Sequence, residues 1–201
     1  MEIIKSPNYI LIKELQLPSY TSFWEEITTA HPNCEVDFVF QTTPPPVAFL
    51  TEINATLMDD DVTTILQKEN FTPVQASAIP TQLIEADFPA FASLHNTANP
   101  EMYWNPDRIL EKFHHWCIYI LKNAYIMLAT WDKTQGEIFA LHAPDTPTQQ
   151  ALLNATATQA FAMGKETIRY DIPSSDTQLL NTATTLGFAI CGKTQMYRTH
   201  T

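Results

Sequence analysis

The chain has 201 residues, 45% of them hydrophobic and 16% charged. That length suits one large domain or one and a half small ones, with a core large enough to need no disulfide or metal. The apolar content excludes a wholly disordered chain, and no apolar run approaches the roughly 18–20 residues of a membrane span. With 11 basic against 22 acidic residues the net charge is −11. No basic stripe of the kind nucleic-acid binders need is present, and anionic membrane surfaces are disfavoured for the same reason.

The N-terminus, MEIIKSPNYI, lacks the apolar stretch and small-residue cleavage site of a secretory leader. The three cysteines, Cys34, Cys117 and Cys191, are far apart and odd in number. They fit a reducing cytosol and read as small buried apolar residues, so the expected location is cytoplasmic. No C-x-x-C, H-E-x-x-H, G-x-S-x-G or P-loop motif occurs, so neither a metal nor nucleotide-triphosphate or serine-hydrolase chemistry is expected. His114 and His115 are helix neighbours whose side chains point about 100° apart, and they do not converge on an ion.

In chain order, NYILIKELQL is strand-like. SYTSFWEEITTAH predicts a helix with Phe23, Ile27 and Ala30 on one face, and VDFVFQ (36–41) a buried strand. TTPPP (42–46) and Ile79-Pro80 are the main breaks. Residues 47–69 read as largely helical and FTPVQAS (71–77) as a strand.

Asp87 then caps a helix, FPAFASLHN, with Phe88, Phe91, Ala92 and His95 on one face and Pro89 in its first turn. Asn105-Pro106 opens a second helix over about 105–115, with Ile109, Phe113 and Trp116 at i, i+4 and i+7. CIYIL (117–121), YIMLATW (125–131) and EIFALHA (137–143) are rich in β-branched and aromatic residues, and their short connections force an antiparallel meander.

TPTQQALLNATATQAFAMG is a helix with Leu153, Ala157 and Ala160 in line, ended by Gly164. TIRYDI (167–172) must then join EIFALHA by a right-handed parallel crossover. Ser174 or Ser175 caps the last helix, which buries Leu179, Ala183 and Leu186 and closes at Gly187. FAICGKTQMYRT (188–199) is a final extended pair or bent strand.

This order predicts an α+β, sandwich-like fold with a mixed central sheet and flanking helices. The first part repeats the strand–helix–strand–helix–strand order of 137–199, and LQKENFTPV (66–74) and TTLGFAICG (184–192) fill the same slot. A half-repeat and the common recurrence of such orders in α/β chains account for this equally.

The helix pair, the meander, GEIFAL, a helix, TIRYDI, a helix and LGF before a strand give residues 80–201 an order that resembles the GCN5-related N-acetyltransferase (GNAT) superfamily. Residues 1–79 resemble the C-terminal half of another such domain, as in tandem GNAT proteins. The resemblance implies two domains, 1–79 and 80–201, with a GNAT-type mixed sheet. It implies acetyl-CoA as co-substrate and transfer of an acetyl group to a primary amine of a small molecule or peptide, in a chain that allows a homodimer. The acyl-pantetheine arm would lie where EIFALHA splays from the next parallel strand.

The family's R-x-x-G-x-G or A turn wraps the pyrophosphate at a helix start, where backbone amides and the helix dipole favour an anion. Counted back from Ala151-Leu152-Leu153, the Arg and glycine positions hold Pro144, Pro147 and Gln149, and Pro147 has no N–H; with Pro144 matched instead to the proline that opens the family's turn, the loop is about three residues short. The donor contacts implied are then with Leu141, His142, Ala143, Thr148, Gln149 and Gln150. Equally, PDTPTQQ reads as the plain start of an amphipathic helix. The tyrosine usual four residues before the GF pair is Ala183, and the usual Asn seven residues earlier is Asp176. Tyr197 is the substitute acid, with strand packing as its alternative role.

Glu137 and His142 are the candidate bases, because an amine must lose a proton to attack. Tyr103 and Trp104 border the acceptor pocket the resemblance implies. A catalytically impaired ligand-binding or assembly module is the alternative function, and a half-domain that covers a sheet edge is a third.

Overall fold

The computed structural model describes residues 2–6, 8–15, 20–75, 78–100 and 102–201. The chain forms two compact units, one of residues 1–63 and 191–201 and the other of residues 64–190.

The first unit holds β1 (Glu2–Ser6), β2 (Tyr9–Lys13), α1 (Tyr20–Ala30), β3 (Glu35–Phe40), α2 (Val47–Glu52), most of β4 (Thr56–Gln67) and most of β10 (Ala189–His200). β1 and β2 form a hairpin, β2 runs parallel to β3, and β3 is antiparallel to β10. Ile10, Ile12, Ile27, Phe38, Phe49 and Leu50 form its core. Asp37 is buried on β3, and a buried carboxylate needs full pairing. Arg198 grips it through Nε and Nη2 at 2.7 and 2.8 Å, and the Tyr9 hydroxyl donates to it at 2.9 Å.

The helix expected over 47–69 ends at Glu52, and most of that stretch is strand β4. Asn54, at φ 54°, takes the left-handed conformation that stops a helix. The β-branched run Val62–Ile65 then favours an extended chain. Cys34 and Cys117 are buried as expected, but Cys191 is exposed and donates weakly to the Thr63 carbonyl.

The second unit holds the end of β4, a short β5 (Thr81–Gln82), α3 (Phe88–Ala98), α4 (Pro106–Glu111), β6 (Trp116–Leu121) and β7 (Ala124–Ala129). It continues with β8 (Gln135–His142), α5 (Thr146–Ala162), β9 (Thr167–Pro173), α6 (Thr177–Thr185) and the start of β10. From α3 onward this is the order read from the sequence. β6, β7 and β8 form the antiparallel meander, and β9 joins β8 in parallel.

One face of this sheet packs on α5 and α6 through Ile126, Leu128, Leu152, Leu153, Ile168 and Leu179. The other packs under α3 and α4 through Phe88, Phe91, Ile109, Ile118, Tyr125 and Met127. Gly164 and Gly187 close α5 and α6 at φ 88° and 104°.

Local details differ from expectation. The helix at 105–115 is α4 followed by a 3-10 turn, Phe113–His115, and Trp116 opens β6, because the Trp-Cys-Ile-Tyr-Ile run prefers an extended chain. Asp87 makes no side-chain cap. Asp176, not Ser174 or Ser175, caps α6 by accepting from the Leu179 N–H at 2.9 Å. Residues 71–75 are not a strand, and the rest of FTPVQAS lies outside the described residues. Among the described residues no helix is long and apolar enough to cross a membrane.

Candidate functional site

β8 is the strand at which neighbour direction switches, antiparallel to β7 on one side and parallel to β9 on the other. The β8–β9 pairing runs from Gln135–Thr167 to Ile138–Tyr170 and stops there, although β8 continues to His142 and β9 to Pro173. A fork therefore opens toward the N-terminus of α5.

On its other edge β8 carries a bulge. Leu128 pairs with Ile138 and Met127 with Ala140, so Phe139 is the extra residue. The bulge reverses side-chain parity, as bulges do. Ile138 and Leu141 pack on the α5 side, while Phe139 and Ala140 both face the α3 side.

Glu137 sits at the apex of the fork, in register with Ala129 on β7 and Arg169 on β9. Burial pushes its carboxyl above the ordinary range. Arg169 opposes that shift and Asp171 adds to it. Arg169 is held by Asp171 at 2.7 Å, two residues along the same strand face. The local balance of two acids against one base favours a cationic visitor. His142 lies exposed at the far end of β8, its ring centroid 5.9 Å from that of Tyr125.

On the α3 side, Trp104, Trp116, Trp131 and Phe139 form one aromatic cluster, with centroid separations from 5.1 to 6.3 Å. Tyr103 is exposed, stands edge-on to Trp104, and carries the Arg108 guanidinium 4.1 Å above its ring.

A buried relay fixes the Trp104 loop. His95 Nε2–H donates to the Trp104 carbonyl at 2.8 Å, which leaves Nδ1 to accept from the Tyr125 hydroxyl at 2.8 Å. Asn99 donates to that same hydroxyl. Burial depresses the His95 pKa, which keeps the ring neutral as this arrangement requires.

Solved structures share this fold. A GCN5-related N-acetyltransferase from Kribbella flavida matches over 95% of this chain and 80% of its own, with TM-score 0.65 at 12% identity. One from Sphaerobacter thermophilus matches over 99% and 75%, with TM-score 0.63 at 11% identity. The fold is that of the GCN5-related N-acetyltransferases. A tandem GNAT protein from the clavulanic acid biosynthesis pathway also matches, over 96% of this chain and 75% of that one, with TM-score 0.59 at 11% identity. No family model matches the sequence, and no curated protein does.

Within the GNAT fold, the fork suits a narrow thioester arm, because β8 beyond Ile138 has backbone groups unpaired toward β9. The start of α5 does not suit a pyrophosphate. Asp145 caps the helix, its carboxylate accepting from the Thr148 N–H at 2.8 Å, and Thr148 holds that carboxyl below its usual range. The Gln149 N–H is committed to the Asp145 carbonyl at 3.0 Å, and Pro147 has none. An internal anion thus occupies the place of the external one.

The Gln149 side chain is buried and accepts from Thr182 and Gln178 at 3.2 and 3.5 Å, sealing α5 to α6. Gln150 lines a cleft of about 250 Å³ with Thr146, Gln178 and Asn181. Ala183 is fully buried, and Tyr197 belongs to the first unit, where its ring stands edge-on to Phe40.

Asp145 escaped the sequence reading, although Asp-Thr-Pro is a helix-start signal in its own right. Asp145→Ser keeps a capping oxygen and removes the charge. Its thermal midpoint is expected to stay close to that of the parent, while coenzyme A binds roughly threefold to tenfold more tightly at low salt. Titration calorimetry at low salt and at about 0.5 M salt checks both parts, because screening should erase the gain.

Proposed function

We propose that this protein is an N-acyltransferase that moves an acyl group, acetyl in the simplest case, from a thioester held in the β8–β9 fork to a primary amine. The observation that carries the reading is the end of β8–β9 pairing at Ile138–Tyr170 with the half-buried Glu137 at its apex. A thioester bound there supplies an acyl carbon open to attack by an amine.

Glu137 takes up the proton that the amine must lose, and its raised pKa suits that exchange. Backbone N–H groups of β8 beyond the fork are the donors available as charge gathers on the carbonyl oxygen. Ala183 offers the departing sulfur no proton, so water fills that role. Residues 1–79 read as a partial GNAT-like half, a reading supported by the chain-long likeness to a tandem GNAT protein. A cytoplasmic location fits the low, odd cysteine count.

A second reading, an impaired GNAT-like module, is favoured by the start of α5, where the glycine turn is missing and Asp145 caps the helix, and by Ala183 in the place of the tyrosine. Thermal-shift titrations with acetyl-CoA and coenzyme A, followed by thioester-cleavage assays with an amine panel, separate the two. A ligand at a hundredfold excess over its Kd should stabilise by about 2.7 kcal/mol. Absence of both a shift and cleavage at millimolar thioester sinks the transferase reading.

A further inference from the structure

Each strand of the fork leads directly into a helix, β8 into α5 and β9 into α6. The open end of the fork therefore faces two helix starts. Both are capped from within. Asp145 accepts from the Thr148 N–H at 2.8 Å, and Asp176 accepts from the Leu179 N–H at 2.9 Å. The backbone carbonyls of the same two aspartates take the next N–H groups, Gln149 at 3.0 Å and Leu180 at 3.1 Å. A helix start binds an external anion through such N–H groups and the positive end of its dipole. Here two carboxylates hold both places.

Between the two helices runs a cleft of about 250 Å³, lined by Thr146 and Gln150 of α5 and by Gln178, Asn181, Thr182 and Thr185 of α6. Each of these side chains is a neutral hydroxyl or amide. Lys122 lines a second cleft, with Asp145, Pro147 and Thr148, but there its charge is set against the Asp145 carboxylate. A nucleoside diphosphate needs cations or unpaired N–H donors. A neutral arm of amides and hydroxyls needs only partners of its own kind, and the cleft and the backbone of β8 beyond Ile138 supply them.

We propose that the acyl donor of this protein is the thioester of a neutral, amide-bearing thiol of the pantetheine class, with no nucleoside diphosphate attached. The thioester end enters the fork, the amides pair with β8 as an added strand would, and the hydroxyl end rests among the amides and hydroxyls between α5 and α6. Asp145 and Asp176 act as a filter: they leave a neutral arm undisturbed and repel a phosphate.

This assignment rests on the transferase reading for the thioester, and its test separates the two. Acetyl-pantetheine, acetyl-CoA and ADP are titrated into the full chain by calorimetry, with no amine present, at about 20 mM and about 0.5 M salt. At low salt acetyl-pantetheine should bind at least about threefold more tightly than acetyl-CoA, the gap should close at high salt, and ADP should not compete. In the double variant Asp145→Ser with Asp176→Ser, where each serine keeps a capping oxygen, acetyl-CoA should gain about tenfold and acetyl-pantetheine less than about twofold.

No binding of acetyl-pantetheine, acetyl-CoA bound as tightly or more so at low salt, competition by ADP, or a double variant with the parent's preference overturns the proposal. Preferred binding of acetyl-pantetheine without transfer to any amine would keep the selectivity assigned to this cleft and remove the transferase reading. Acyl transfer from acetyl-CoA at least as fast as from acetyl-pantetheine does the reverse.

Discussion

Replacing Glu137 with glutamine is expected to lower kcat/KM for acyl transfer by roughly a hundredfold to a thousandfold, the usual yield of a positioned general base. That loss corresponds to about 2.7–4 kcal/mol of transition-state stabilisation. The substitution keeps the size and hydrogen-bonding reach of the side chain and removes only its capacity to take a proton. In the parent, the rate should rise with pH through an apparent pKa above that of an ordinary glutamate, because burial raises this group.

The glutamine variant should lose that limb of the profile. If His142→Ala removes the limb and Glu137→Gln does not, the base is His142. Stability should move the other way. A carboxyl whose folded pKa lies above its unfolded one binds protons more readily in the native state. Stability then falls as pH rises from the unfolded pKa to the folded one, and above that window the parent carries the full cost. Glu137→Gln should therefore be at least as stable as the parent at neutral pH, a pairing of lost activity with retained stability that a merely structural residue would not give.

The parts of this fold that were legible in the sequence are those set by local chemistry. Three short apolar runs with two-residue and five-residue connections can only be a meander. Gly164 and Gly187 mark two helix ends because few other residues tolerate a positive φ. The strand character of β4 depends on pairing that no local pattern carries, and Asn54, the residue that stops α2, gives only a weak local signal.

The bulge at Phe139 leaves no trace in EIFALHA, since it arises from the offset between Met127 and Leu128 on the facing strand. The aromatic cluster draws Trp104 and Trp131 from two loops and Trp116 and Phe139 from two strands. No spacing rule within one element could assemble it. Asp145 is a different case: Asp-Thr-Pro is a local capping signal, legible without any tertiary contact.

Gly187→Ala is expected to cost about 2–4 kcal/mol of folding stability, and Gly164→Ala only about 1 kcal/mol. Both glycines close a helix at positive φ, 104° and 88° respectively, so both variants suffer the same conformational penalty. Their surroundings differ. A Cβ at Gly164 would meet no heavy atom within 4 Å, whereas one at Gly187 would stand 2.1 Å from the Asn70 carbonyl oxygen and 3.2 Å from Leu66 Cδ1.

A side chain could rotate aside, but a backbone carbonyl cannot without moving the 3-10 turn Lys68–Asn70. That turn is tied down on both flanks. The Lys68 N–H donates to the Glu166 carbonyl at 3.0 Å, and the Thr72 N–H donates to the Leu186 carbonyl at 3.1 Å. Relief of the clash would break at least one of these bonds or lift Leu66 from a site where it is fully buried. Urea unfolding of the two variants isolates the contact, because the shared φ penalty cancels in their difference. Midpoints that fall by equal amounts with unchanged m values would show that the segment after β4 yields freely, and that Gly187 serves only the turn of its own helix.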